Sequence, residues 1–198
     1  MEFKKYNHLK EEKKISDFWI KKGCFKPRKG KLKSTFSIVI PPPNVTGRLH
    51  MGHALNNSLQ DVLVRFNRMK GNETLWQPGT DHAGIATQAV VEKNLEKKGI
   101  KKHDLGREKF IKKVWKWKEE SGGIILDQLK KLGCSCDWSR TRFTMDKDLS
   151  HAVIKVFVEL YNKKLIYKDK KLVNWDTQLQ TAISDLEVIQ KDSQSQLY

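Results

Sequence analysis

Apolar residues recur along this chain with two periods, and the periods predict an alternation of strands and helices. Phe36 to Ile40 (FSIVI) is a short run rich in β-branched residues, entered from the polar segment PRKGKLKST (27–35), which Pro27 and Gly30 interrupt. It predicts a buried strand after a loop. From Gly52 onward, Leu55, Leu59, Val62, Leu63, Phe66 and Met69 return at helical intervals, with Asn57, Gln60, Asp61, Arg65 and Arg68 between them. This predicts an amphipathic helix of about five turns with the apolar stripe inward, ended at Gly71. Thr74 to Trp76 reads as a second short strand, QPGTDHAG as a turn, and Ile85 to Lys98 as a helix with Val90, Val91 and Leu95 inward. Strand, helix, strand, helix in that order predicts an α/β fold, with a parallel sheet joined by crossovers.

The flanks are more helical. Residues 9–22 carry Leu9, Ile15, Phe18 and Trp19 among charges, the spacing of an arm that packs one side onto a larger body. Residues 105–132 have helical composition broken by Gly122 and Gly123, which predicts a hairpin or kinked pair with Phe110, Val114 and Trp117 inward and Lys112, Lys113, Lys116 and Lys118 toward water. Asp146 is placed to cap a further helix striped by Val153, Phe157, Leu160 and Tyr161, and IYKDKKLVNW reads as two strands around a polar turn. The tail KDSQSQLY is compositionally a loop. The organisation expected is an arm and loop over 1–35, a main domain over 36–175 and a lead-out over 176–198.

Charge and cysteine usage narrow the class. Lysine and arginine number 39 against 23 acidic residues, a formal net charge of +16 in 198 residues. Such an excess suits a polyanionic partner, nucleic acid first, although solvated lysine faces account for it equally well. Cys24, Cys134 and Cys136 are odd in number and the last two are spaced C-x-C, so neither a disulfide framework nor a structural metal site is suggested and packing thiols in a reducing, cytoplasmic setting are expected. No window has the apolar length of a membrane span.

Candidate chemistry gathers in PPPNVTGRLHMGH (41–53), between the first strand and the long helix. A glycine-containing turn leading into a helix puts unpaired N–H groups and the positive helix end at the carboxyl edge of a parallel sheet, where phosphate binds. Neither G-x-G-x-x-G nor a Walker loop is present. His50 and His53 share one face of the first helical turn, where their ring N–H groups can reach phosphate oxygens, and Gly52 between them leaves room for a flat base. Pro41 to Pro43 stiffen the entry. Asn44 and Asp81, at successive strand ends, can together hold an ammonium group. The plainer readings are a metal half-site lacking a third ligand, for which no metal is assigned, and an ordinary turn role for Asp81. Trp138 and Arg140 read as core and ion-pair residues in preference to the alternative of ligand contacts.

PPPNVTGRLHMGHALN and WQPGTDHAGIATQ, with LGCSCDWSRTRFTMD (132–146) and LVNWDTQLQTAISDLEV (172–188), resemble class I aminoacyl-tRNA synthetases and, within them, the valyl branch. HMGH is similar to the family's "HIGH" signature, with Met51 in place of the usual Ile. The resemblance implies the first half of a Rossmann-type catalytic domain that activates L-valine with ATP and transfers it to tRNA(Val). It implies that His50, Gly52, His53 and Asn56 serve ATP, with Mg²⁺ on the phosphates, and that Pro42, Asn44 and Asp81 line the valine site. His50 and His53 are the catalytic pair on this carry-over.

The departures from the family are large. A K-M-S-K-S-type lysine loop, a complete editing insertion and an anticodon-binding helical domain do not occur, and SQSQLY falls where the family enters its editing insertion. The expectation is a truncated valine–tRNA ligase, monomeric, weak or inactive as an isolated catalyst. The alternative is a non-catalytic RNA-binding remnant using Lys97, Lys98, Lys101 and Lys102.

Overall fold

The computed structural model describes residues 6–28, 34–194 and 196, so most of the loop expected over 27–35 and the ends of the chain lie outside the described residues. The chain divides into two compact units, Met1–His151 and Ala152–Tyr198, where the sequence placed divisions after 35 and 175.

In the first unit, strand β1 (Thr35–Val39) crosses through helix α2 (Met51–Met69) to strand β2 (Glu73–Gln77), and the two strands pair in parallel with Phe36 opposite Thr74 and Ile38 opposite Trp76. Beyond Pro78 the same strand line resumes as β3 (Gly79–Thr80), flanked by a parallel bridge from Asn44 to Asp81 on one side and by β4 (Arg142–Phe143) on the other. The result is a short parallel ribbon with β2 and β3 at its centre. Trp76, Ile40, Val45, Val64, Ile125, Leu129, Cys136 and Phe143 form the core around it. Trp76 is wholly buried, and its indole donates to Gln60 Oε1 at 3.1 Å, so its one polar atom is satisfied inside.

Helix α2 buries the face opposite to the one its apolar stripe predicts. Leu55, Leu59, Val62, Leu63, Phe66 and Met69 are 52–87% exposed, while Asn57 and Val64 are buried. Polar anchoring explains the inversion. Asp61 Oδ1 accepts from the Ser135 N–H at 3.0 Å and from its hydroxyl, Arg65 Nη2 donates to the Gly133 carbonyl at 2.8 Å, and Arg68 Nη2 donates to the Ser135 carbonyl at 2.7 Å. These bonds draw the 133–136 segment under the helix, where it runs beside β2 with the Asp137 N–H donating to the Trp76 carbonyl at 3.0 Å.

The N-terminal arm, α1 (His8–Lys21), carries no buried residue. Of its expected stripe only Trp19 is engaged, 5.8 Å from the Phe25 ring and with Arg65 over its face at 5.4 Å; Leu9 and Phe18 are exposed. Helix α3 (Ile85–Glu96) buries Thr87, Val91 and Leu95, and Val91 and Leu95 pack with Phe110 of α4 (Lys102–Lys131).

Helix α4 runs through Gly122 and Gly123 without interruption; the break lies at Gly106, whose φ of 70° and ψ of 164° are open only to glycine. At neither glycine is a Cβ excluded: one on Gly123 would meet nothing within 4 Å. A Cβ on Gly122 would sit 3.8 Å from Val45, and Ser121 beside it is buried. Lys118 is drawn back over the Phe143 ring at 4.7 Å, whereas Lys112, Lys113 and Lys116 face water as expected.

Helix α5 (Lys147–Asn162) begins after Asp146 and carries no buried residue, so its apolar stripe lies in the open. In the second unit the hairpin forms later than IYKDKKLVNW predicts: β5 (Asn174–Asp176) pairs antiparallel with β6 (Thr181–Ile183). The turn is set by Asp176, whose Oδ1 accepts from the Gln178 and Leu179 N–H groups at 2.9 and 2.6 Å, and by Gln180 in a left-handed conformation.

A Cβ on Gly79 would meet the Arg142 carbonyl oxygen at 2.9 Å, backbone against backbone. Gly79→Ala is expected to destabilise the fold by about 1–3 kcal/mol, measured by urea unfolding. Burial raises the Cys134 thiol to about 12 and raises Cys136 as well, so at neutral pH only Cys24 is expected to react promptly with a disulfide reagent.

Candidate functional site

The turn from Pro41 to Leu49 has little regular structure of its own, and α4 supplies the partners its backbone lacks. The Trp117 indole donates to the Val45 carbonyl at 2.7 Å, the Ser121 hydroxyl to the Gly47 carbonyl at 3.4 Å, and the Leu49 N–H donates to Gln128 Oε1 at 3.0 Å. Within the proline run Pro43 is buried while Pro42 stays exposed beside Asn44, also exposed. The turn is thereby presented with one wall sunk in the core and the other facing the solvent.

At its end the two histidines cap α2. His50 Nδ1 accepts from the Gly52 N–H at 3.1 Å, and His53 Nδ1 accepts from the His50 N–H at 3.3 Å; the rings lie 4.0 Å apart. Because both Nδ1 atoms accept, each ring proton resides on Nε2, the nitrogen directed away from the backbone. The helix start thus offers two ring donors alongside its unpaired N–H groups. Gly52 has a second use that the sequence reading did not contain: a Cβ there would press on the His50 ring at 3.0 Å. Asn56 is exposed and accepts from the Gln60 amide. Asn57, which the sequence reading set among the outward polar residues, is buried, donates to the His53 carbonyl at 2.8 Å and leaves its Oδ1 unpartnered.

Asn44 and Asp81 are brought together directly. They form the parallel bridge that prolongs the sheet: the Val45 N–H donates to the Asp81 carbonyl at 3.0 Å and the Asp81 N–H to the Pro43 carbonyl at 2.8 Å. The Asp81 carboxylate is oriented through one oxygen. Oδ1 accepts from the Ala83 N–H at 2.9 Å and the Thr144 hydroxyl at 3.3 Å and lies 3.2 Å from His82 Nδ1. Oδ2 has no partner among the described residues and is free for a cation. Thr144 and His82, 2.7 Å apart, escaped the sequence reading; their signal was position alone, within RTRFTMD and GTDHAG. Ala83 and Gly84 both take positive φ, 51° and 47°, which turns the chain sharply enough for Ala83 to reach back to Asp81.

The sequence model of the family described as tRNA synthetases class I (I, L, M and V) matches residues 14–197. The chain belongs to the class I tRNA synthetases. This synthetase chain is 69% identical over 194 residues to the valine–tRNA ligase of Pelagibacter ubique, covering 98% of the chain and 22% of that protein. It is 60% identical over 187 residues to the valine–tRNA ligase of Syntrophotalea carbinolica, covering 94% and 21%. Its structure matches that of the Agrobacterium radiobacter K84 agnB2 LeuRS in a ternary complex with tRNA and LeuAMS, with a TM-score of 0.75 and 25% identity over 93% of the chain and 22% of that protein. The synthetase chain therefore has the class I α/β fold and spans about a fifth of the length of the curated relatives it matches. Among the described residues no helix is long and apolar enough to cross a membrane, and no group of three or more His, Cys, Asp or Glu is disposed to hold a metal ion.

Burial and the neighbouring His50 ring both hold His53 below the ordinary histidine value. A base lowered in the folded state binds fewer protons there than in the unfolded chain. The stability linked to His53 is therefore intact above the unfolded value and is lost as pH falls from there toward the folded one. An NMR titration is expected to place the His53 midpoint below about 6.5 and to show it rising in His50→Asn, which keeps a capping acceptor and removes the ring; a midpoint at or above the ordinary value in the unaltered chain contradicts the arrangement.

Proposed function

We propose that the chain supplies the ATP- and valine-binding part of a valine–tRNA ligase's activation site. The observation that carries this reading is the Asn44–Asp81 bridge, with one carboxylate oxygen fixed and the other open, at the same sheet edge as the two Nε2–H donors. The ammonium of valine pairs with Asp81 Oδ2 and the Asn44 side-chain oxygen, with the exposed edge of Pro42 as the stiff wall beside the side chain. ATP lies along the start of α2 against Gly52 and Asn56, and its phosphate oxygens accept hydrogen bonds from Nε2–H of His50 and His53, with Mg²⁺ neutralising phosphate charge when bound. The valine carboxylate oxygen then forms a bond to the α-phosphorus as the bond to pyrophosphate breaks, giving valyl-adenylate. No protein nucleophile is required. The chain's own residues act by alignment and by donors set in place before charge develops. The valyl group then passes to the 3′ end of tRNA(Val). Relatives at 60–69% identity bearing the valine–tRNA ligase name support valine over other substrates.

Titration calorimetry with a non-hydrolysable valyl-adenylate analogue tests the assignment. Asp81→Ala is expected to weaken binding by about 2–5 kcal/mol, the loss typical of stripping one partner from a buried charge pair. Unchanged affinity in that variant removes the role given to Asp81.

A further inference from the structure

A cavity of about 660 Å³ lies on the far side of the same strand ends, between α3, α4 and the end of β4. Its size falls in the range of small-molecule pockets, about 300–1,000 Å³. Val45 and His82, the immediate neighbours of Asn44 and Asp81, form part of its wall, so it shares a partition with the site described above. Apart from those two partition residues, the lining residues have no part in that site.

Three features bear on what it holds. The wall is aromatic: Trp115 meets Phe143 edge-to-face at 6.0 Å, has the Lys118 ammonium 5.9 Å from its ring centre, and keeps 42% of its surface exposed, so the part of the ring that Lys118 leaves uncovered can receive a ligand with a cation beside it. The charge is of one sign. Among the described residues no Asp or Glu lines the cavity, whereas Lys102, His103, Arg107 and Lys118 do. Lys102 is neutralised by Glu92 at 2.6 Å, and Lys118 reaches Glu119 at 3.1 Å while its ammonium stays 4.7 Å over the Phe143 ring. Arg107 has neither hydrogen bond nor ion pair among the described residues and stands exposed. Finally, the lining includes the side-chain amide of Gln88, which has no partner among the described residues and can read a base edge. The Gly106 break in α4 also opens onto this space.

We propose that this cavity is a second nucleotide pocket that takes the base and phosphate of one unpaired nucleotide, the base on Trp115 and the phosphate on Arg107 and Lys118. An aromatic platform beside an uncompensated guanidinium suits a flat ring carrying an anion, and stacking of a base on an aromatic side chain contributes about 1–3 kcal/mol. A saturated acyl carboxylate would use the cations but leave the ring face and Gln88 unanswered. The proposal rests on this cavity's own chemistry and stands apart from the function proposed for the turn.

The test is calorimetry of AMP binding to a His50→Ala/His53→Ala variant, in which the turn no longer competes. Saturable one-to-one binding is expected, weakened at least tenfold by Arg107→Ala and by Trp115→Leu, with adenosine alone and inorganic phosphate alone each at least tenfold weaker. A 5′-phosphorylated single-stranded RNA trinucleotide binding more tightly than AMP identifies an RNA end as the source; equal binding identifies the free nucleotide. Should Trp115→Leu not fold, the AMP-induced shift of the Trp115 indole N–H in the NMR spectrum replaces it. Absence of binding at millimolar AMP, binding indifferent to Arg107→Ala, or displacement of AMP by octanoate overturns the proposal.

Discussion

The structure depends on how an irregular turn with few backbone partners of its own is held still. Between β1 and α2 the chain must leave the sheet and enter a helix across nine residues, three of them prolines that cannot donate. Its exposed carbonyl and amide groups are met from one helix far along the chain, where an indole, a hydroxyl and a side-chain amide from Trp117, Ser121 and Gln128 reach Val45, Gly47 and Leu49. At Gly122 that helix passes Val45 at a distance where a Cβ would make ordinary contact, 3.8 Å. Hydrogen bonds to buried backbone are worth only about 0.5–1.5 kcal/mol each net, but an unmet group costs more, so the set acts as a geometric lock rather than a large store of stability.

The candidate chemistry follows from that lock. With the turn fixed, the residue after Pro43 falls into parallel register with Asp81, and the last residue before α2 can fold its imidazole back onto the helix's own amides. The same backbone bonds that cap the helix choose the histidine tautomer. Two donors and one half-used carboxylate are therefore oriented at the strand ends by the protein's own hydrogen bonds. This is preorganisation in the physical sense: the orientation is established by folding, and binding need not supply it.

Much of this was legible in the sequence, and the parts that were not share a cause. The strand–helix–strand order, the parallel pairing, the pairing of Asn44 with Asp81 and the clustering of the two histidines follow from local signals, namely β-branched runs, helical periodicity and turn residues at strand ends. The burial direction of α2 did not follow. Its apolar stripe is the stronger periodic signal, yet Asp61, Arg65 and Arg68 find partners in the 133–136 backbone some seventy residues away, and no periodicity reports a donor or acceptor that distant. The glycine pair in α4 misled for the same reason. Glycine lowers helix propensity, but the helix is carried through Gly122 and Gly123 by the burial of Ser121, Gly122, Ile125 and Leu129 on its inner face. The break at Gly106 was likewise unmarked, since LGRE carries no proline or turn dipeptide. Thr144 and His82 were missed because a residue that orients another through a hydrogen bond leaves no pattern of its own.

The central claim is that one folded edge presents a carboxylate oxygen and two imidazole Nε2–H groups to opposite ends of the same adenylate. A crystal structure of this chain with a valyl-adenylate analogue tests it most directly. The account predicts the ammonium within hydrogen-bonding distance of Asp81 Oδ2 and Asn44, the phosphate oxygens within reach of Nε2 on His50 and His53, and both Nδ1 atoms still bonded to the backbone. An analogue seated elsewhere, or imidazoles turned so that Nδ1 faces the phosphate, would contradict it.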